Sequence, residues 1–441
     1  MHHQDLPVAV IGAGPVGLAA AVHLLGRGLQ PVVLEAGEEV AAHVRQWGHV
    51  RMFSPWQYNI DPQAARLLAQ AGWQAPEGSH YPTGAELYTA YLAPLASLPA
   101  IQSCLMLGAS VTAVSRLGHD LMKNGSREHS PFLVRYKQDG REQQLAVQAV
   151  IDASGTYATP NPMGVAGIPA VGERAASQHF FYGIPDVHGR HRHRYAGKRV
   201  VVVGSGHSAF NVLTELVSLA ESVSDMQLFW AIRRASLSRV LGGGEKDQLK
   251  ERGKLGQRIA SLVSSEKVTL LTDVQAEEVL LIDSGVQIKS GTRLLPVVDE
   301  VIVTTGFRPD LAMLGEIRLG LDPGTQSPVA LAPMIDPNLH SCGTVRPHGA
   351  AELQHPEVGF YMVGMKSYGR APTFLLLTGY EQVRSVVAAI AGDKDAAARL
   401  ELVLPETGVC NTDFASRVAR TIELPVVCGT QPQKRASSRC C

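Results

Sequence analysis

Apolar positions along the chain gather into short, nearly continuous runs, each closing on glycine or small residues ahead of a helical stretch. Residues 8–11 form the first run, and 18–25 follow as an Ala- and Leu-rich helix ending near Gly26-Arg27-Gly28. Residues 31–34 are the next strand. Between 108 and 151 the rhythm changes to alternation. It predicts short antiparallel strands at 109–114, 132–137 and 144–151, turning at Asn124-Gly125 and Asp139-Gly140. A second continuous run at 198–203 leads into a helix through Leu216 and a strand over 227–232. Further on, 245–264 reads as a charged helix, 268–290 as short strands and 298–303 as a strand. A strand within 359–365 and a long helix over 374–391 close the periodic part, with Pro372 suited to that helix start. Residues 405–441 lose periodicity and gain Pro, Ser, Thr and Cys, which predicts a poorly ordered tail.

The residues between the strands and helices give this pattern its chemistry. After the first strand stands Gly12-Ala13-Gly14-Pro15-Val16-Gly17. In such a turn Gly12 permits the bend, Gly14 lets the backbone approach a pyrophosphate, and Gly17 lets helix pack on strand. The helix N-terminus supplies N–H groups and a positive dipole end. The next strand ends in Glu35, placed to bind ribose hydroxyls of an adenine nucleotide. Gly204-Ser205-Gly206-His207-Ser208-Ala209 repeats the arrangement, with Ala209 in the third position. Its following strand ends in Arg233-Arg234 in place of an acid, which favours the 2′-phosphate of NADPH. Small-residue turns at 153–156 and 304–310 each follow a strand and echo one another. The expected fold is therefore α/β, two Rossmann-like dinucleotide-binding domains with the second inserted in the first. The expected boundaries are 1–165, 166–300, 301–395 and a tail at 396–441.

Composition narrows the function classes. Of 441 residues, 40 are Lys or Arg and 40 Asp or Glu, a net charge of zero that argues against nucleic-acid or anionic-membrane partners. Glycine spacing and Glu35 explain the apolar run at 8–25 better than a signal peptide does. No other stretch reads as a membrane span, so the cytoplasm is the expected location. Six cysteines (104, 342, 410, 428, 440 and 441) include no CxxC. His188, His191 and His193 lie among arginines that repel a cation, so no metal is expected. Residues 45–59 are dense in aromatics, and Trp47 among them is a candidate wall for a flat cofactor.

Over residues 5–395 this organisation resembles the FAD- and NADPH-binding two-domain flavoproteins. Disulfide reductases of that group need a redox CxxC, absent here. The other branch, the class B flavin-containing monooxygenases, carries an FxGxxxH-type linker. Phe181-Tyr182-Gly183-Ile184-Pro185-Asp186-Val187-His188 matches it with the histidine one residue late. Asn59 resembles the asparagine that family places near the reactive flavin carbon. The segment 366–373 and the tail 404–410 resemble a narrower group, the flavin monooxygenases of bacterial arsenic-resistance operons.

The resemblance implies NADPH bound by Gly204, Ser205, Gly206, His207, Ser208, Arg233 and Arg234. FAD would rest on Gly12, Ala13, Gly14, Pro15, Gly17, Glu35, Trp47, Gly364, Met365 and Thr373. Oxygen transfer from a C4a-hydroperoxyflavin to a soft nucleophile, a trivalent arsenical, is the implied reaction, with O₂ as co-substrate. Asn59 and Arg370 are the implied hydrogen-bond donors. Cys342 reads either as a thiol that captures arsenic or as a small buried hydrophobe. The alternatives are oxygenation of sulfur, nitrogen or ketone substrates, and an NADPH-dependent flavin reductase.

Overall fold

The computed structural model describes residues 5–237, 258–339, 345–371 and 374–402. Of the sequence expectations, Cys342, Thr373, Cys410, Cys428, Cys440 and Cys441 lie outside these residues, as does most of the expected charged helix; 258–264 is helical. The architecture is α/β, with two five-stranded parallel sheets of Rossmann type.

The first sheet is built on β1 (Val8–Ile11). Its order is β16-β7-β1-β2-β3, where β2 is Pro31–Leu34, β3 Leu105–Met106, β7 Ala149–Asp152 and β16 Phe360–Met362. Apart from the two-residue edge β3, these strands bury nearly every position, as expected for a parallel sheet covered on both faces. The helix Pro15–Gly26 is buried from Val16 through Leu24 because it lies between the sheet and the helix Leu376–Ile390. An Ala-rich sequence lets those two helices approach closely. Burying Leu18 and Leu24 completely contributes ~1.5–3 kcal/mol each.

The second sheet has the order β11-β10-β9-β15-β8. Here β8 is Phe180–Tyr182, β9 Arg199–Val203, β10 Gln227–Ala231, β11 Thr269–Leu271 and β15 Glu300–Val303. Its strands thus all fall between two strands of the first sheet, β7 and β16. Two antiparallel three-stranded sheets accompany the pair: β4 (Ser110–Arg116), β5 (Phe132–Gln138) and β6 (Arg141–Val147), and then β12 (Glu278–Ile282), β13 (Gly285–Ser290) and β14 (Arg293–Leu294).

The expected third antiparallel strand at 144–151 is divided. Residues up to Val147 pair with β5, while Ala149–Asp152 turns into the first sheet and runs parallel to β1. Gln148 makes the switch, its amide donating to the Pro7 carbonyl at 2.9 Å. The helix Gly84–Leu87 starts on a capping box between Thr83 and Glu86, and continues through a π turn at Tyr88–Leu92.

Candidate dinucleotide-binding sites

Both glycine turns lie at the carboxyl ends of parallel strands, where open α/β sheets place their ligands. In the first, Gly12 has φ +96°, and a Cβ there would lie 3.0 Å from the Ala153 carbonyl oxygen and the Ser154 Cα. A Cβ on Gly17 would overlap the Gly12 carbonyl, whereas one on Gly14 meets nothing within 4 Å. The middle glycine therefore faces space and its two neighbours face protein. Gly14 caps the helix Pro15–Gly26 with no side-chain hydrogen bond, so first-turn N–H groups remain for an anion. Glu35 ties the turn to the end of β2: Oε2 accepts from the Ala13 N–H at 2.7 Å and Oε1 from the Gly37 N–H at 2.9 Å. Each oxygen has a second lone pair for a ribose hydroxyl.

The second turn repeats this geometry. Gly204 has φ +131° and would clash with Thr304, while a Cβ on Gly206 meets nothing within 4 Å. Gly206 caps the helix His207–Ala220, again with no side-chain bond and no acid in the first turn. Ala209 is fully buried in the third position, and Arg233 and Arg234 are exposed just beyond β10. The turn after β7 thus backs the first fingerprint, and the turn after β15 backs the second.

The other expected site residues fall in different surroundings. Trp47 lies over Gly84, whose Cβ would come within 2.6 Å of its ring, and is only half-buried. Asn59 is fully buried and closes its own loop. Its Nδ2 donates to the Ser54 and Pro55 carbonyls at 2.7 and 3.0 Å, and its Oδ1 accepts from Ser54 Oγ at 2.8 Å. Both amide hydrogens are therefore engaged within the loop. Arg370 is exposed, with Nε donating to Gln326 Oε1 at 2.7 Å. Met365 is half-buried, and Gly364 (φ +68°) packs on Val16. Of the linker histidines, His188 faces Glu215 at 3.2 Å, and the rings of His191 and Phe181 form a T-shaped pair 4.9 Å apart.

Several contacts carried no periodic signal in the sequence. The Gly364 N–H donates to Gln382 Oε1 at 2.7 Å, and Gln382 Nε2 lies 2.9 Å from His348 Nε2. Because His348 Nδ1 faces the Arg346 carbonyl, Nδ1 holds the proton and Nε2 accepts. Burial lowers the pKa of His348, favouring this neutral form. The network fixes the turn after β16 to the helix Leu376–Ile390. Between the two units, Phe53 lies 5.9 Å from the His207 ring, and Tyr157 stacks on Phe307 at 5.1 Å. Aromatic residues of the first unit thus reach the second fingerprint.

Comparison with known proteins adds a family. Residues 9–330 match the model described as pyridine nucleotide-disulphide oxidoreductase. A ferredoxin–NADP reductase of Salinispora tropica is 25% identical over 346 residues, 73% of this chain and 80% of that protein. The bacillithiol disulfide reductase Bdr of Bacillus cereus superposes with a TM-score of 0.63 at 18% identity, over 88% of this chain and 99% of that one. DfoA of Erwinia amylovora, a cadaverine monooxygenase solved bound to FAD, gives 0.62 at 13% identity, over 92% and 98%.

Proposed function

The chain belongs to the pyridine nucleotide-disulphide oxidoreductase family, and from that premise we propose that it is an NADPH-dependent flavin monooxygenase acting on a soft nucleophile. The observation that carries the reading is the pair of open, uncapped glycine fingerprints in a chain without a CxxC. Two dinucleotide sites imply electron flow between them. Disulfide reduction needs a reactive thiol pair, and Cys104, the single cysteine among the described residues, is a poor nucleophile. Burial pushes its thiol up to about 11, and its Sγ donates to the Ile101 carbonyl at 3.0 Å.

The first unit would hold FAD: Gly14 and the helix N-terminus at the diphosphate, Glu35 at the ribose, and the Gly364–Met365 turn alongside. NADPH would lie on Gly204, Ser205, Gly206, His207 and Ser208, its 2′-phosphate between Arg233 and Arg234. When bound, FAD supplies the redox chemistry, taking electrons from NADPH and passing them to O₂. The protein binds, orients and excludes water. Phe53, Tyr157 and Phe307 would keep water from the space between the units, and Arg370, exposed and bonded to Gln326, would offer a cationic donor.

The substrate assigned is a trivalent arsenical, a soft electron-rich centre suited to oxidation to the pentavalent form. Support comes from the resemblance of residues 366–373 and 404–410 to flavin monooxygenases of arsenic-resistance operons. The ferredoxin reductase likeness favours a second reading, electron delivery to a separate acceptor. NADPH consumption by FAD-loaded protein in air separates them, measured with a trivalent methyl- or phenylarsenical, a thioether and an amine. Acceleration by the arsenical alone, with a pentavalent product, is expected. Equal acceleration by the thioether or amine removes the arsenic assignment. No acceleration by any, together with turnover of a one-electron acceptor, leaves the reductase.

A further inference from the structure

Tyr157 reaches from the carboxyl edge of the first sheet to that of the second. It follows the turn in which Ala153 and Ser154 back Gly12. On one side its ring lies 5.3 Å from His43, in the helix Ala42–Gln46. That helix is joined to the first fingerprint, because the Ala41 N–H donates to the Ala13 carbonyl at 3.0 Å. On the other side the Tyr157 ring stacks on Phe307, beyond β15. Its hydroxyl lies over Gly183, 3.9 Å from where a Cβ would stand. Gly183 directly follows β8, and its N–H donates to the Val303 carbonyl at the end of β15 at 2.9 Å.

The hydroxyl has no hydrogen-bond partner among the described residues. It is also not sealed off: Tyr157 is half-buried, and its oxygen is not among the enclosed polar atoms that lack a partner. Burial raises the pKa of the phenol, against the opposing charge of Arg190, so at neutral pH it is protonated and can donate. Gly183 has φ +108°, and a larger side chain there would crowd the hydroxyl.

Strand order says which part of a ligand passes this hydroxyl. A dinucleotide lies across the crevice where the order of such a sheet reverses, with its diphosphate on the helix after the first strand. In the second sheet β10 and β11 lie on one side of β9, and β15 and β8 on the other. With the 2′-phosphate at Arg233 and Arg234, beyond β10, the adenosine takes the β10 side. The other half of the nucleotide then runs over β15 and β8. Phe307 and Gly183 follow those two strands, and Tyr157 stands against both.

We propose that Tyr157 is a nucleotide-binding residue whose hydroxyl donates to an oxygen of the nicotinamide half of NADPH, holding that half between the two units. The assignment rests on the NADPH reading of the second fingerprint. Equilibrium binding of NADPH and of 2′,5′-ADP, which lacks the nicotinamide half, to the FAD-loaded full-length protein tests it. The variant is Tyr157→Phe, which removes the hydroxyl and keeps the ring on Phe307. Loss of one neutral hydrogen bond predicts NADPH bound about 3- to 10-fold more weakly. Affinity for 2′,5′-ADP, FAD content and the urea midpoint stay near wild type. A variant that binds NADPH as wild type does, or loses NADPH and 2′,5′-ADP equally, overturns the tyrosine assignment. A variant that loses FAD while its NADPH affinity holds places the hydroxyl on the flavin and overturns it too. Wild-type protein that binds neither nucleotide overturns the NADPH reading, and this assignment with it.

Discussion

His355 shows how one enclosed side chain couples the fold to pH. Its Nδ1 accepts the Gly320 N–H at 3.2 Å, and its ring lies 5.6 Å from Phe360. Nε2 therefore holds the proton of the neutral ring, and it is buried without a partner among the described residues. Burial pushes its pKa down to about 4. Depression below the usual histidine value near 6.5 means the folded state resists a proton that the unfolded chain accepts. The stabilising contribution is complete above pH ~6.5 and is lost as pH falls towards 4, by about 3 kcal/mol. Urea midpoints at pH 7.5 and 4.5 are expected to differ by less in His355→Gln than in wild type. An unchanged pH dependence would mean that other groups dominate acid unfolding.

At the scale of the element, the glycine turns divide into positions that face protein and positions that face open space. Gly17→Ala sets a methyl on the Gly12 carbonyl, so the helix Pro15–Gly26 must move from β1. The expected result is a thermal midpoint many degrees lower. Gly14→Val adds its Cβ where no protein atom lies within 4 Å. It should fold with a midpoint near wild type yet fail to retain FAD, read from the flavin absorbance of the purified protein. Equal losses in both variants would contradict this division. These turns were legible in the sequence because an apolar strand, a glycine rhythm and an Ala-rich helix are all local signals. The division of 144–151 was not, because alternation reports a half-buried strand and not which sheet receives it. Nor was the role of Asn59 in closing its loop, since its partners Ser54 and Pro55 show no pattern of their own. The buried ion pair of Lys366 with Asp152, 2.6 Å apart, was hidden by distance along the chain.

Across the whole molecule, the chain passes twice between the two parallel sheets, and the two passages are tied together. Asn161 N donates to the Gly306 carbonyl at 2.9 Å, and its Nδ2 to the Thr305 carbonyl at 3.1 Å. Thr305 Oγ1 returns a bond to the Asn161 carbonyl at 2.9 Å, and Arg308 N donates to the Thr159 carbonyl at 3.0 Å. The insertion was readable from two fingerprints and two echoing turns. This cross-tie was not, since its partners lie far apart in sequence. If it sets the angle between the units, it also sets the gap a hydride must cross between the nucleotides each unit is expected to hold. Asn161→Ala removes the side-chain bonds and leaves both glycine turns intact. FAD content and NADPH affinity should then stay within about twofold of wild type. Flavin reduction at saturating NADPH, followed anaerobically by stopped flow, should slow about tenfold, the effect of ~1.4 kcal/mol lost in positioning. An unchanged reduction rate would show that the angle between the units is set elsewhere, by contacts such as Phe53 on His207. A fall in NADPH affinity alone would place the effect within the second unit.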